Sequence, residues 1–208
     1  MKQIKFLIII ALIFGCNEKE SEQKEVVYQN WKSEFQLDST IEFQGVRHAA
    51  YGYTYIYPEN FKEKIDTINV QVDSTIFKSE NKEAKLKLFV EGEVIREQRK
   101  LTQEDKEKES LALIEYANLI KKGKHKLAKD LNIIKSNLRY GYYGETKPAR
   151  LEFLGEKGDK EIIWGIELSE IPVSGDLTFK NMYFEYPKLK KEFYNPIGIE
   201  MLNNFGMN

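Results

Sequence analysis

The chain has 208 residues, 32 Lys+Arg against 33 Asp+Glu, 41% hydrophobic residues and one cysteine. Near-balanced charge gives no electrostatic case for binding nucleic acid, and a single cysteine excludes an intrachain disulfide or a cysteine metal cluster. The length suits one ordinary domain that must fold on its apolar core.

The N-terminus carries the strongest signal. Lys2 and Lys5 precede an unbroken apolar run from Phe6 to Phe14, and Gly15 stands before Cys16. Charge, short apolar core and small residue describe a secretory signal. The run is too short for a membrane-spanning helix, which needs roughly 20 apolar residues. Ile13-Phe14-Gly15-Cys16 closely resembles the lipobox of bacterial lipoproteins. The resemblance implies that residues 1–15 are a signal peptide, and that Cys16 carries diacylglycerol on its thiol and an acyl chain such as palmitate on its amine. It also implies a lipid-anchored location in the bacterial cell envelope, in the outer membrane on its periplasmic or surface face. Two or more chains give stable anchoring. Loss of residues 1–15 takes two of the 32 bases and no acid, leaving a mature net charge of −3.

Asn17 to Glu25 contains no apolar residue, so residues 16–27 read as a lipidated cysteine and flexible tether. Glu18, Glu20 and Glu22 resemble the surface-export signal of lipoproteins in Bacteroidota-type bacteria. A plain solvated linker is an equal reading. Residues 28–47 read as an N-terminal extension, with short strand pieces at Val26–Tyr28 and Thr40–Phe43 and with Trp31 and Phe35 as helical-face partners.

From Ala50 the pattern sharpens. Gly52 to Tyr57 is a strand by its aromatic and β-branched content. Thr75–Ser79 and Lys85–Val90 form a hairpin around Glu80-Asn81-Lys82, with Leu86, Leu88 and Val90 on one face. Leu101 to Lys122 is a long helix with Thr102 as N-cap. Leu113, Tyr116, Ala117 and Ile120 supply its buried stripe, and Gly123 a left-handed cap. Leu131–Tyr143 is a strand. Arg150–Leu154 and Glu161–Leu168 pair around a Gly155–Asp159 turn, and Leu177–Tyr186 is a further strand stopped by Pro187. Asn195 as N-cap and Pro196 at the first helical position start a last helix with Met201, Leu202 and Phe205 inward.

That element order defines an α+β class, an antiparallel β-sheet with helices packed on it. It is also similar to the PsbP-like family, through three stretches. These are Gly52-Tyr-Thr-Tyr-Ile-Tyr-Pro58-Glu-Asn-Phe61, then Phe77 to Leu88, and last Phe184-Glu-Tyr-Pro187 with Tyr194-Asn-Pro-Ile197 and Met201–Phe205. The resemblance implies an α/β/α sandwich over residues 48–208 and a protein-binding or assembly role more than catalysis.

Tyr51, Tyr53, Tyr55 and Tyr57 alternate and share one face of a strand. Tyr140, Tyr142 and Tyr143 form a second cluster among glycines. Together they are candidate contacts for a carbohydrate, small ligand or partner protein, against the simpler role of cross-strand packing. His48 and His125 are the only histidines, and neither has metal-ligand spacing around it. No nucleophile elbow or phosphate-binding glycine loop occurs, so no catalytic residue, metal site or cofactor is assigned. The leading reading is a lipid-anchored, non-catalytic module that binds an envelope protein or glycan. A sugar- or small-ligand-binding lipoprotein comes second and a hydrolase third.

Overall fold

The computed structural model describes residues 30–48, 53–64, 74–94, 103–140, 148–170 and 177–206. Cys16, Tyr51, Tyr142, Tyr143 and the proposed Thr102 cap lie outside these residues. Among the described residues no helix is long and apolar enough to cross a membrane.

The core is a seven-stranded antiparallel sheet in the order β3-β4-β5-β9-β8-β7-β6. Its strands are β3 (Lys62–Lys64), β4 (Ser74–Lys78), β5 (Lys85–Val94), β6 (Asn132–Tyr140), β7 (Pro148–Lys157), β8 (Lys160–Glu170) and β9 (Leu177–Pro187). A separate two-stranded sheet pairs β1 (Phe43–His48) with β2 (Tyr53–Pro58). Helix α1 (Gln103–Lys121) covers one face of the large sheet and α2 (Lys191–Asn204) the other. The α+β class expected from the element order is the observed one, and the expected hairpins β4–β5 and β7–β8 both form.

The central strands carry apolar side chains on both faces, because both faces are covered. On β8, Ile162, Trp164 and Ile166 pack against α1 in one cluster. Ile163 packs with α2 and β1–β2 in the other. Strand β8 is therefore covered on both faces. The β7–β8 turn is also tighter than expected. Pairing continues through Gly155↔Ile162 to Lys157↔Lys160, leaving Gly158 and Asp159 as the loop.

Helix α1 ends as its sequence demands. Gly123 has φ +65°, its N–H donates to Ile120 O at 2.9 Å, and Lys124 N–H donates to Leu119 O at 2.9 Å. This is the paired closure that a left-handed glycine permits. Helix α2 departs from expectation. It begins at Lys191, directly after a 3-10 turn at Lys188–Lys190, and Pro196 sits inside it. Asn195 does not cap the helix; its side chain makes tertiary hydrogen bonds. Ser33 Oγ donates to Asn195 Oδ1 at 2.7 Å, and Asn195 Nδ2 donates to Tyr186 Oη at 3.0 Å. Pro196 has no N–H to give the carbonyl of Glu192 four residues back, so α2 lacks one intrahelical hydrogen bond there.

Residues 31–48 are integral to the α2 face. Trp31 is buried in that core and lies in irregular chain beside α2, not on a helix. Helix α2 comes close to the sheet at Gly198, where an added Cβ would fall 2.5 Å from Ile163 Cδ1 and 2.7 Å from Phe184 Cδ1. Gly198→Ala is expected to destabilise the fold by about 1–3 kcal/mol through overpacking. The check is a lower urea midpoint with an unchanged slope; an unchanged midpoint would mean the helix can shift without cost.

Candidate functional site

Tyr55 and Tyr57 of β2 pack against the core. Tyr55 is buried, and its ring centroid lies 6.1 Å from that of Phe77. Tyr57 stacks on Phe77 at 4.3 Å and donates from its hydroxyl to Gln44 Oε1 at 2.8 Å. Tyr53 pairs with His48 across β1–β2, and Tyr140 pairs with Pro148 at the end of β6. The two strands therefore belong to different sheets. Their tyrosine-bearing ends nevertheless lie toward the same end of the molecule. Gly206 N–H donates to Thr54 O at 2.9 Å, Arg150 donates to Phe205 O, and Arg150 is the register partner of Arg139.

Two polar clusters, invisible in the sequence, lie against the sheet faces. On the α1 face, Glu91 Oε1 accepts from Tyr116 Oη and from His125 Nε2. Lys126 Nζ is 3.6 Å from Glu91 Oε2. Leu127 N–H donates to His125 Nδ1 at 3.2 Å, so the proton of the neutral imidazole is assigned to Nε2. Burial works to raise the Glu91 carboxyl, but the hydrogen bonds from His125 and Tyr116, with the charge of Lys126, bring it below its ordinary value. Burial first, then Glu91, drives the Tyr116 hydroxyl well above its ordinary value. Deeper in, Trp164 Nε1 donates to Asn181 Oδ1 at 2.9 Å. Both ring nitrogens of His125 are thus engaged with protein groups. The cluster fastens the loop after α1 to β5.

On the α2 face, Arg150 donates to Leu202 O and Phe205 O, the carbonyls ending α2. Its Nε is 2.9 Å from Glu152 Oε1. Glu152 also accepts from Trp31 Nε1 and, at 3.2 Å, from Asn137 Nδ2. Beside them, Glu167 and Lys180 are register partners on β8 and β9. Burial pushes the Glu167 carboxyl up to about 7, against the pull of Lys180 and Arg150, and burial lowers the Lys180 ammonium. Glu167 Oε2 is buried without a hydrogen-bond donor.

The surface offers a different feature. Helix α1 buries Leu113, Tyr116, Ala117 and Ile120, yet also carries Leu111, Ile114 and Leu119 at 53%, 39% and 46% exposure. A helix apolar on both sides is ordinarily covered on both. The sequence did contain this signal, in the run Leu111-Ala112-Leu113-Ile114. A search for one buried stripe passes over it. Among the described residues no cluster of His, Cys, Asp and Glu is able to hold a metal ion.

The class defined by this architecture is an α+β sandwich, one antiparallel sheet between two helices. No family model matches the chain, and no curated protein matches it. Among solved structures it is similar to cyanobacterial PsbP (CyanoP) from Synechocystis sp., with 13% identity, TM-score 0.47, and coverage of 83% of this chain and 98% of that one. It is also similar to the Ran-binding protein Mog1p of Saccharomyces cerevisiae, with 9% identity, TM-score 0.40, and coverage of 80% of this chain and 95% of that one.

Glu167 generates a pH dependence of stability. Its folded value lies above the unfolded value near 4.5, so the folded state holds the proton more tightly. That contribution is fully present below pH 4.5 and is lost as pH rises through 7. Its ceiling is on the order of 3 kcal/mol. Glu167→Gln is expected to flatten the decline in urea midpoint between mildly acidic and mildly alkaline buffer. A variant that tracks the wild type across that range would remove Glu167 as the cause.

Proposed function

We propose that the chain is a lipid-anchored protein of the bacterial envelope whose α+β domain binds another protein through the outward face of α1. One observation carries the binding role: Leu111, Ile114 and Leu119 stand in water on a helix whose opposite face is already buried. Apolar residues grouped this way favour a protein partner. The packing of Tyr55 and Tyr57 on Phe77 supports a structural role for those two tyrosines over stacking on a sugar. Anchoring rests on the N-terminal sequence, with Cys16 as the lipidated residue.

The test uses the full chain expressed with its own N-terminus. Leu111→Glu combined with Ile114→Glu should cut capture of a partner from envelope extracts at least tenfold, about 1.4 kcal/mol, with circular dichroism and urea midpoint unchanged. Capture that survives the double substitution sinks the α1 surface. Separately, Cys16→Ser should abolish palmitate incorporation and move the protein to the soluble fraction. Continued labelling would rule out Cys16 as the attachment point.

A further inference from the structure

At the end of the sheet where β9 gives way to α2, three described segments lie side by side. They are the loop 121–131 after α1, the β7–β8 turn, and the 3-10 turn Lys188–Lys190. Lys157 Nζ donates to Leu127 O at 3.5 Å, and Lys188 N–H donates to Asp159 O at 2.8 Å. From β6 to β9 this edge spans about 14 Å, three strand spacings.

The edge is basic although the whole chain is net −1. Residues 121–131 read Lys-Lys-Gly-Lys-His-Lys-Leu-Ala-Lys-Asp-Leu, with Asp130 the only acid. Lys126 faces Glu91. Lys124 and Lys129 are exposed. Across the turn, Lys188 and Lys191 pair with Glu156 and Glu161, while Lys190 is exposed. Between the lysines stands Leu189, 98% exposed, and Phe193 one turn further is 44% exposed.

Lysines beside a protruding leucine call for a surface that is anionic and also takes up an apolar side chain. A bilayer surface answers both, since anionic headgroups attract lysines and the interfacial layer takes up apolar side chains. We propose that this end of the domain is a second membrane contact, lying on an anionic bilayer. Leu189 and Phe193 enter the interfacial layer, and Lys124, Lys129 and Lys190 lie against lipid phosphates. The chain enters the domain beside Asn203, hydrogen-bonded to Trp31. That point is about 21 Å along α2 from the tip. The stretch from Cys16 to Asn30 reaches at most about 45 Å, long enough for anchor and tip to meet one bilayer. The contact fixes the orientation of the domain and leaves the outward face of α1 open to a partner.

Trp31 and Trp164 are 7% and 0% exposed, so an indole placed at the tip is the accessible reporter. The full chain carrying Leu189→Trp, and in parallel Phe193→Trp, is reconstituted into vesicles of phosphatidylcholine alone or mixed with phosphatidylglycerol. The indole emission should shift to the blue and be quenched by brominated lipid in the mixed vesicles. Quenching should fall at least about threefold with Lys124→Glu plus Lys190→Glu or at high salt. A control indole at Leu111→Trp should keep the emission of water. The proposal is overturned if both tip reporters stay water-exposed in membrane-bound protein. Equal quenching without phosphatidylglycerol, or a shift produced by poly-glutamate and not by vesicles, overturns it as well. Partner capture through Leu111 and Ile114 is read separately, so failure of one leaves the other standing.

Discussion

Arg150 is the point on which the α2 side of the molecule turns. The last carbonyls of a helix have no intrahelical donors, and α2 ends inside the protein. Arg150, reaching from β7, supplies donors to Leu202 O and Phe205 O and places its charge at the negative end of the helix. A guanidinium suits this because its donors project in a fixed fork. Its own charge is met by Glu152, which is fully buried and also accepts from Trp31 and Asn137. One arginine thereby joins the sheet, α2 and the N-terminal segment. Removing one member of such a buried pair costs roughly 3–5 kcal/mol, since the other charge is left without compensation.

The α1 face is fastened by a different device with the same logic. Glu91, carried on β5, gathers Tyr116 from α1 and His125 and Lys126 from the loop that follows. The tyrosine ring stacks on Phe179 at 4.3 Å, and the imidazole lies 5.0 Å from Trp164. Polar and aromatic contacts are thus made by the same side chains, and this fixes where α1 ends. These titratable groups hold β5, α1 and the following loop together.

The interior groups described hold the fold together, and the proposed roles rest on the surface. Its two unusual features sit on different elements. The outward row on α1 is apolar and exposed. The tip at Leu189 is apolar and flanked in the chain by Lys188 and Lys190, with exposed Glu192 a turn further on. A helix face of that kind fits a protein; lysines beside a single protruding leucine fit a headgroup layer. The two surfaces are compatible with a domain held at a membrane and presenting one side outward.

Much of this was legible in the residues. The α1 stripe of Leu113, Tyr116, Ala117 and Ile120, the cap at Gly123 and the strand pairings are local patterns, set by periodicity and by backbone freedom. The start of α2 was not, because Asn195 and Pro196 make a good cap signal in isolation. Tertiary hydrogen bonds to Ser33 and Tyr186 use that asparagine instead. The same limit hid the candidate surfaces. Sequence alone determined the class of fold and the buried helix stripe, since each depends on neighbours along the chain. Only tertiary structure decided that Arg150 meets the end of α2, that Glu91 meets His125, and that Leu189 and loop 121–131 share one edge. Those pairs lie far apart in the chain, and the contacts that make them follow from how the sheet is ordered.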